Sequence, residues 1–119
     1  MAAREQKIYV DKLINCVPTS KWPYRQSCHL FVDIGGLDLL HHFAERLGLK
    51  KAWFQRQGTM PHFDLTPNKR ALAIKRGAVE VSNEELVVII RSWRQGYKEE
   101  SYSVSNPVKG LSLKLYKPR

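Results

Sequence analysis

Apolar and polar residues alternate in "KIYVD", residues 7–11, with Ile8 and Val10 on one side and Tyr9 and Asp11 on the other. That period of two predicts a strand. It recurs in "SCHLFVD", residues 27–33, where Cys28, Leu30 and Val32 share one face and His29, Phe31 and Asp33 the other. Shorter runs predict three more strands: "KKAWFQ" at 50–55, "HFDLT" at 62–66 and "AVEVS" at 78–82. Between the first two strands, residues 12–26 contain Pro18 and Pro23 and are expected to form an ordered loop. Gly35 and Gly36 break the second strand, and 56–61 reads as a turn-rich connection.

A helical period replaces the alternation in three places. In residues 37–48, Leu37, Leu40, Ala44 and Leu47 recur on one face, and Gly48 suits a left-handed residue past the helix end. The second helix is signalled by its punctuation: Thr66 as N-cap, Pro67 in the first turn and Gly77 beyond the far end. A third begins at Ser82, with Glu85 completing a capping box. Its apolar stripe is Leu86, Ile89, Ile90 and Trp93, and Gly96 is expected to stop it. After that, Leu111, Leu113 and Leu115 alternate with polar residues behind the turn signals Asn106-Pro107 and Gly110. The expected fold is α/β: a single compact domain at 7–96 with a mixed sheet of about five strands and about three helices. A C-terminal strand or hairpin is expected within 97–119.

Composition narrows the class. The chain has 119 residues, 43% of them apolar, enough for one domain with its own core. No apolar run is long enough for a bilayer span, and "MAAREQKIYV" lacks the apolar stretch of a secretory signal. A cytoplasmic protein without a membrane partner is therefore expected, with Cys16 and Cys28 as free thiols. No CxxC or Cys/His cluster has zinc spacing, so a structural zinc is not expected. The net charge of +9 directs attention to polyanions, nucleic acid or nucleotide phosphates, and secondarily to an acidic protein partner.

Taken in order, "IYVD", "CHLFVD", "LHHFAERLGL", "WF" and "HFDLTPNKRALAIKRGAVEVS" resemble a small uncharacterised domain family of bacteria and phages. Its pattern is a strand ending in Asp, an H-L pair followed by Asp, an L-H-x-F-A helix, and H-[YF]-D leading into a Lys/Arg helix. The resemblance spans about residues 7–94, and the combination is specific although each piece alone is weak. It implies a domain boundary and a prokaryotic or phage setting. It brings no activity with it.

Two constellations carry candidate chemistry. The first is His62, Asp64, Thr66, Asn68, Lys69 and Arg70. Residues 62, 64 and 66 share a strand face that leads to a helix start, where free N–H groups bind anions. Two cations oppose the dipole of their own helix, which suggests a phosphate held there; the plain alternative is that they point to solvent or pair with Asp64. The second is Asp11, His29 and Asp33, which with His62 and Asp64 offer acid–base groups or ligands for a divalent ion, Mg²⁺ or Mn²⁺. His29 and Asp33 are equally readable as a structural pair.

Other candidates are weaker. His41 sits beside the apolar helix face and reads as a core histidine, His42 as a surface residue, and neither belongs to an HExxH motif. Trp22, Tyr24 and Arg25 stand in a loop that does not need them for a core, and are candidates for a ligand surface. Ser20, Ser27 and Cys28 lack a recognisable base partner, which gives nucleophilic catalysis little support. The expectation is therefore a domain that binds a phosphate-bearing ligand and hydrolyses or transfers a phosphoester. The catalytic candidates are His62, Asp64, His29 and Asp11. The alternative is a non-catalytic interaction protein, such as a phage inhibitor or accessory factor, docking through its basic face.

Overall fold

The structure is a computed structural model that describes residues 6–56 and 60–102, with side chains to residue 96. The sheet is built around β3, Gln26–Val32. β1, Ile8–Val10, runs antiparallel to it with Ile8↔Val32, Tyr9↔Phe31 and Val10↔Leu30 in register. β4, Phe63–Leu65, is also antiparallel to it, pairing Cys28↔Leu65, His29↔Asp64 and Leu30↔Phe63. Leu30 is paired with both neighbours, so β1 and β4 occupy opposite edges of β3. β5, Val79–Glu80, lies parallel to β1. The sheet is mixed and has five strands, as expected, although not the same five.

The fifth strand is β2, Ile14–Asn15, inside the stretch read from sequence as a loop. It pairs antiparallel with the start of β3, Ile14↔Ser27 and Asn15↔Gln26. Cys16 N–H extends the ladder to the Arg25 carbonyl at 2.8 Å, and a turn closes with Thr19 N–H donating to the Trp22 carbonyl at 2.9 Å. Residues 14–27 are thus a hairpin arm. Both β2 residues are exposed, so no buried face marks them in the sequence. Residues 11–13 separate Val10 from Ile14, whereas Cys28 and His29 alone separate their partners Ser27 and Leu30. That extra residue is the signature of a β-bulge, a device that re-aims a side chain.

The expected strand at 50–55 is instead a single 3₁₀ turn, Lys51–Trp53, followed by an isolated bridge between Gln55 and His62. Trp53 is exposed, while Phe54 packs against the rings of His41 and Phe63. The segment is held by one aromatic anchor and not by an alternating face.

One face of the sheet carries Ile8, Val10, Cys28, Leu30, Val32, Phe63 and Leu65, all buried. α1, Leu37–Arg46, and α2, Pro67–Lys75, contribute Leu40, Ala44 and Ala73 to this core. The α2 start follows its sequence signature, with Thr66 Oγ1 accepting from Lys69 N–H at 3.2 Å. The capping box before α3, Asn83–Tyr102, also forms: Ser82 N–H donates to Glu85 Oε1 and Glu85 N–H to Ser82 Oγ. α3 buries Ile89 and Trp93, and Trp93 Nε1–H donates to the Val32 carbonyl at 2.8 Å.

Gly96 does not stop α3, which continues to Tyr102. Its φ is not left-handed, unlike those of Gly48 and Gly77. A Cβ there would collide with Ile34 Cδ1, so the glycine serves close packing instead of termination. The beginning of the expected C-terminal extension is therefore helix, and the expected strand or hairpin around 111–115 lies outside the described residues. Among the described residues no helix is long and apolar enough to cross a membrane.

Candidate metal centre

The second sheet face carries the candidate ligand side chains. His29 on β3 stands directly opposite Asp64 on β4. His62 lies two residues before Asp64, hence on the same side of its strand. The His29 and His62 rings meet edge-to-face with centroids 4.8 Å apart. One ligand atom each from His29, His62 and Asp64 can be chosen so that all lie within 4.8 Å of one another.

Both imidazoles are held through Nδ1. His29 Nδ1 is 2.7 Å from Asp11 Oδ2, while Asp11 Oδ1 accepts the His29 backbone N–H at 2.7 Å. His62 Nδ1 is 2.8 Å from the Met60 carbonyl. A carbonyl can only accept, so His62 carries its proton on Nδ1 and offers Nε2 as a lone pair. The same assignment on His29 directs its Nε2 outward from the Asp11 contact. Asp64 is oriented by Gln55, whose Nε2–H donates to Oδ2 at 2.6 Å, leaving Oδ1 3.6 Å from His62 Nε2. Donors about 2.1 Å from a tetrahedral ion stand about 3.4 Å apart, close to that spacing.

The electrostatics separate the two rings. The hydrogen bond to the Asp11 carboxylate raises the His29 pKa above its ordinary value, outweighing partial burial. Burial lowers that of His62, outweighing the Met60 bond, and His29 lowers it further. His62 is thus a neutral donor at physiological pH. Two imidazoles and a carboxylate, with a carboxylate and a carbonyl behind the imidazoles, form a layered arrangement suited to a first-row transition metal. The expected Mg²⁺ is a poorer match, because that ion favours oxygen ligands.

Asp11, His29, His62 and Asp64, the expected catalytic candidates, are brought together. Asp11 is 5% exposed and supports His29 from behind. Asp33, expected beside them in a metal set with His29 and Asp11, accepts from Tyr9 Oη at 2.9 Å instead. It lies four residues beyond His29, about 13 Å along an extended strand. Shared parity did not mean proximity.

Lys69 and Arg70, expected to hold an anion at the start of α2, are both engaged by protein groups. Lys69 Nζ–H donates to the Leu47 carbonyl at 2.6 Å, placing its charge at the C-terminal end of α1. The cation is at the unfavourable end of its own helix and the favourable end of a neighbouring one. Arg70 Nε–H donates to the Asp11 carbonyl at 2.9 Å, and Nη2 contacts Glu80 Oε2 at 2.8 Å. The Arg70 guanidinium also lies beside Cys28, on the core face of the sheet. Thr66 is used as the N-cap, and Asn68 is exposed at the helix start.

Trp22, Tyr24 and Arg25 lie on the hairpin arm, not in the His62 cluster. His41 packs between Phe54 and Phe63 as a core-side histidine, and His42 is exposed. A cavity of about 330 Å³ lined by Leu39, His42, Phe43, Arg46, Leu47 and Arg76 shares no residue with the cluster. Sequence reasoning missed Gln55 and Met60; the bridge that brings Gln55 to His62 has no local signal.

A family model described as "Protein of unknown function (DUF4031)" matches residues 8–93. No curated protein and no solved structure matches the chain.

Proposed function

The chain belongs to the DUF4031 family, and we propose that it is a metal-dependent protein acting on a phosphate-bearing ligand. In this reading His29, His62 and Asp64 hold a divalent transition-metal ion. The observation that carries it is the convergence of these three donors with both imidazoles already oriented through Nδ1. A bound ion would supply Lewis-acid polarisation of a phosphoryl oxygen and a more acidic bound water. Asp11 fixes the His29 ring, Met60 fixes the His62 ring, and Gln55 turns the Asp64 carboxylate. The +9 charge favours a polyanionic ligand, and hydrolysis of a phosphoester is the matching reaction class.

The test is isothermal titration of metal-stripped protein with Zn²⁺, Mn²⁺, Co²⁺ and Ni²⁺, followed by hydrolysis of bis(p-nitrophenyl) phosphate. One equivalent of metal, lost in His62→Ala, and hydrolysis that requires the bound ion are expected. Absence of stoichiometric binding would overturn the metal centre. Stoichiometric metal without any phosphodiester turnover would overturn the hydrolytic part.

A further inference from the structure

We infer that the hairpin arm at 14–27 is a stacking platform for single-stranded nucleic acid. This rests on the proposed phosphate-bearing ligand and names its class. The arm presents two aromatic rings outside the core. Trp22 Nε1–H donates to the Gln26 carbonyl at 3.3 Å and Trp22 N–H to Thr19 Oγ1 at 3.0 Å, which fixes the indole over the turn. Tyr24 packs edge-on against it with centroids 5.0 Å apart and remains 46% exposed. The rigid indole thereby orients a phenol ring whose surface remains accessible. Neither ring belongs to the buried core.

The charge of the arm fits the same ligand. From Lys12 to Cys28 there are three cations, Lys12, Lys21 and Arg25, and no carboxylate. Cations interleaved with an oriented aromatic pair meet the two features of a nucleic-acid strand, its phosphates and its base faces. A duplex buries its base faces in its own stack, whereas a single strand can offer them to Tyr24. An acidic protein would satisfy the cations without offering base faces to Tyr24. The arm runs directly into β3, and Tyr24 is five residues from His29, about 17 Å along an extended strand. A strand held at the arm thus needs to extend only a short way to reach the His29 cluster.

The experiment measures fluorescence anisotropy of labelled oligo(dT) and oligo(U), each about 20 nucleotides, against the full chain. Tyr24→Ala is expected to weaken binding about tenfold, the loss of one stacked base. Lys21→Ala with Arg25→Ala should reduce the salt dependence by a slope of about 1.4. Metal stoichiometry should remain unchanged in these variants. Tighter binding of oligo(U) than oligo(dT), or the reverse, identifies RNA or DNA as the source of the shared chemistry. Trp22→Ala is a second variant, and Tyr24→Ala carries the test if that change loosens the arm. Unchanged oligonucleotide affinity in Tyr24→Ala, equal or tighter binding of a duplex, or equal affinity for polyglutamate would overturn the proposal. Loss of metal in His62→Ala with retained oligonucleotide binding would support the arm while separating it from the metal centre.

Discussion

Asp11 grips His29 twice: one carboxylate oxygen takes the backbone N–H and the other lies 2.7 Å from Nδ1 of the ring. Asp11 is the first residue after β1, at the point where the strand gains a residue over its partner, and Arg70 holds its carbonyl. The β1–β3 register, continued one residue past Val10↔Leu30, brings this end-of-strand aspartate opposite His29, where it holds both backbone and ring. Ligand-supporting groups of this kind tune metal affinity as strongly as many direct contacts.

Replacing Asp11 with Asn should therefore weaken metal binding about 10- to 100-fold without removing a direct ligand. The measurement is a metal titration of the folded variant. An affinity equal to that of the unsubstituted chain would show that Asp11 supports the fold alone.

Metal should also stabilise the folded chain. At 100 times its dissociation constant a bound ion adds about 2.7 kcal/mol, which for a domain of this size raises Tm by about 10 °C or more. The expected shift is reversed by a chelator and absent in Asp64→Asn and His62→Ala. Thermal melts with and without Zn²⁺ check it, and a full shift surviving in both variants would place the ion elsewhere.

Lys69→Met should destabilise the protein by about 1–2 kcal/mol, because the Leu47 carbonyl loses a charged donor at the end of α1. Metal stoichiometry should stay unchanged. Denaturant melts paired with metal titration distinguish this from a ligand-binding lysine, whose loss would leave stability intact.

Cys28 supplies a pH-dependent prediction. Burial, reinforced by Asp11, pushes its thiol up to about 12 from 9.0. Below pH 9 the thiol is neutral in both folded and unfolded chains. Above it the unfolded chain releases the proton first, so stability falls as pH rises towards 12. Cys28→Ala should flatten that decline in denaturant melts taken at about pH 8 and about pH 10.5, below and above the unfolded value. In native protein a thiol reagent at pH 8 should modify Cys16, the more exposed of the two, and reach Cys28 only after denaturation.

The two strands at 7–11 and 27–33, the three helix starts and the parity of His62 with Asp64 were legible because each depends on near neighbours. A cap needs residues three apart, and a strand face needs alternation over a few positions. The arm was not legible, since Ile14 and Asn15 have no buried face, and neither was the reason for Gly96, which lies in Ile34. The pairing of Lys69 with Leu47 spans 22 residues and the Arg70 contact with Asp11 spans 59, so no local rule could anticipate either.

Local sequence set the α/β class, the core face and the candidate ligand side chains, because side-chain chemistry and local periodicity are written in adjacent residues. Which of them lie together depends on contacts between distant strands. Registering β3 against β4 placed His29 opposite Asp64, and registering β1 against β3 brought Asp11 onto His29. Packing α2 against the core face then drew Lys69 and Arg70 away to neighbouring carbonyls. Strand register and the choice of sheet face are set by burial across the whole domain, and one residue of slip would exchange every side chain between the two faces.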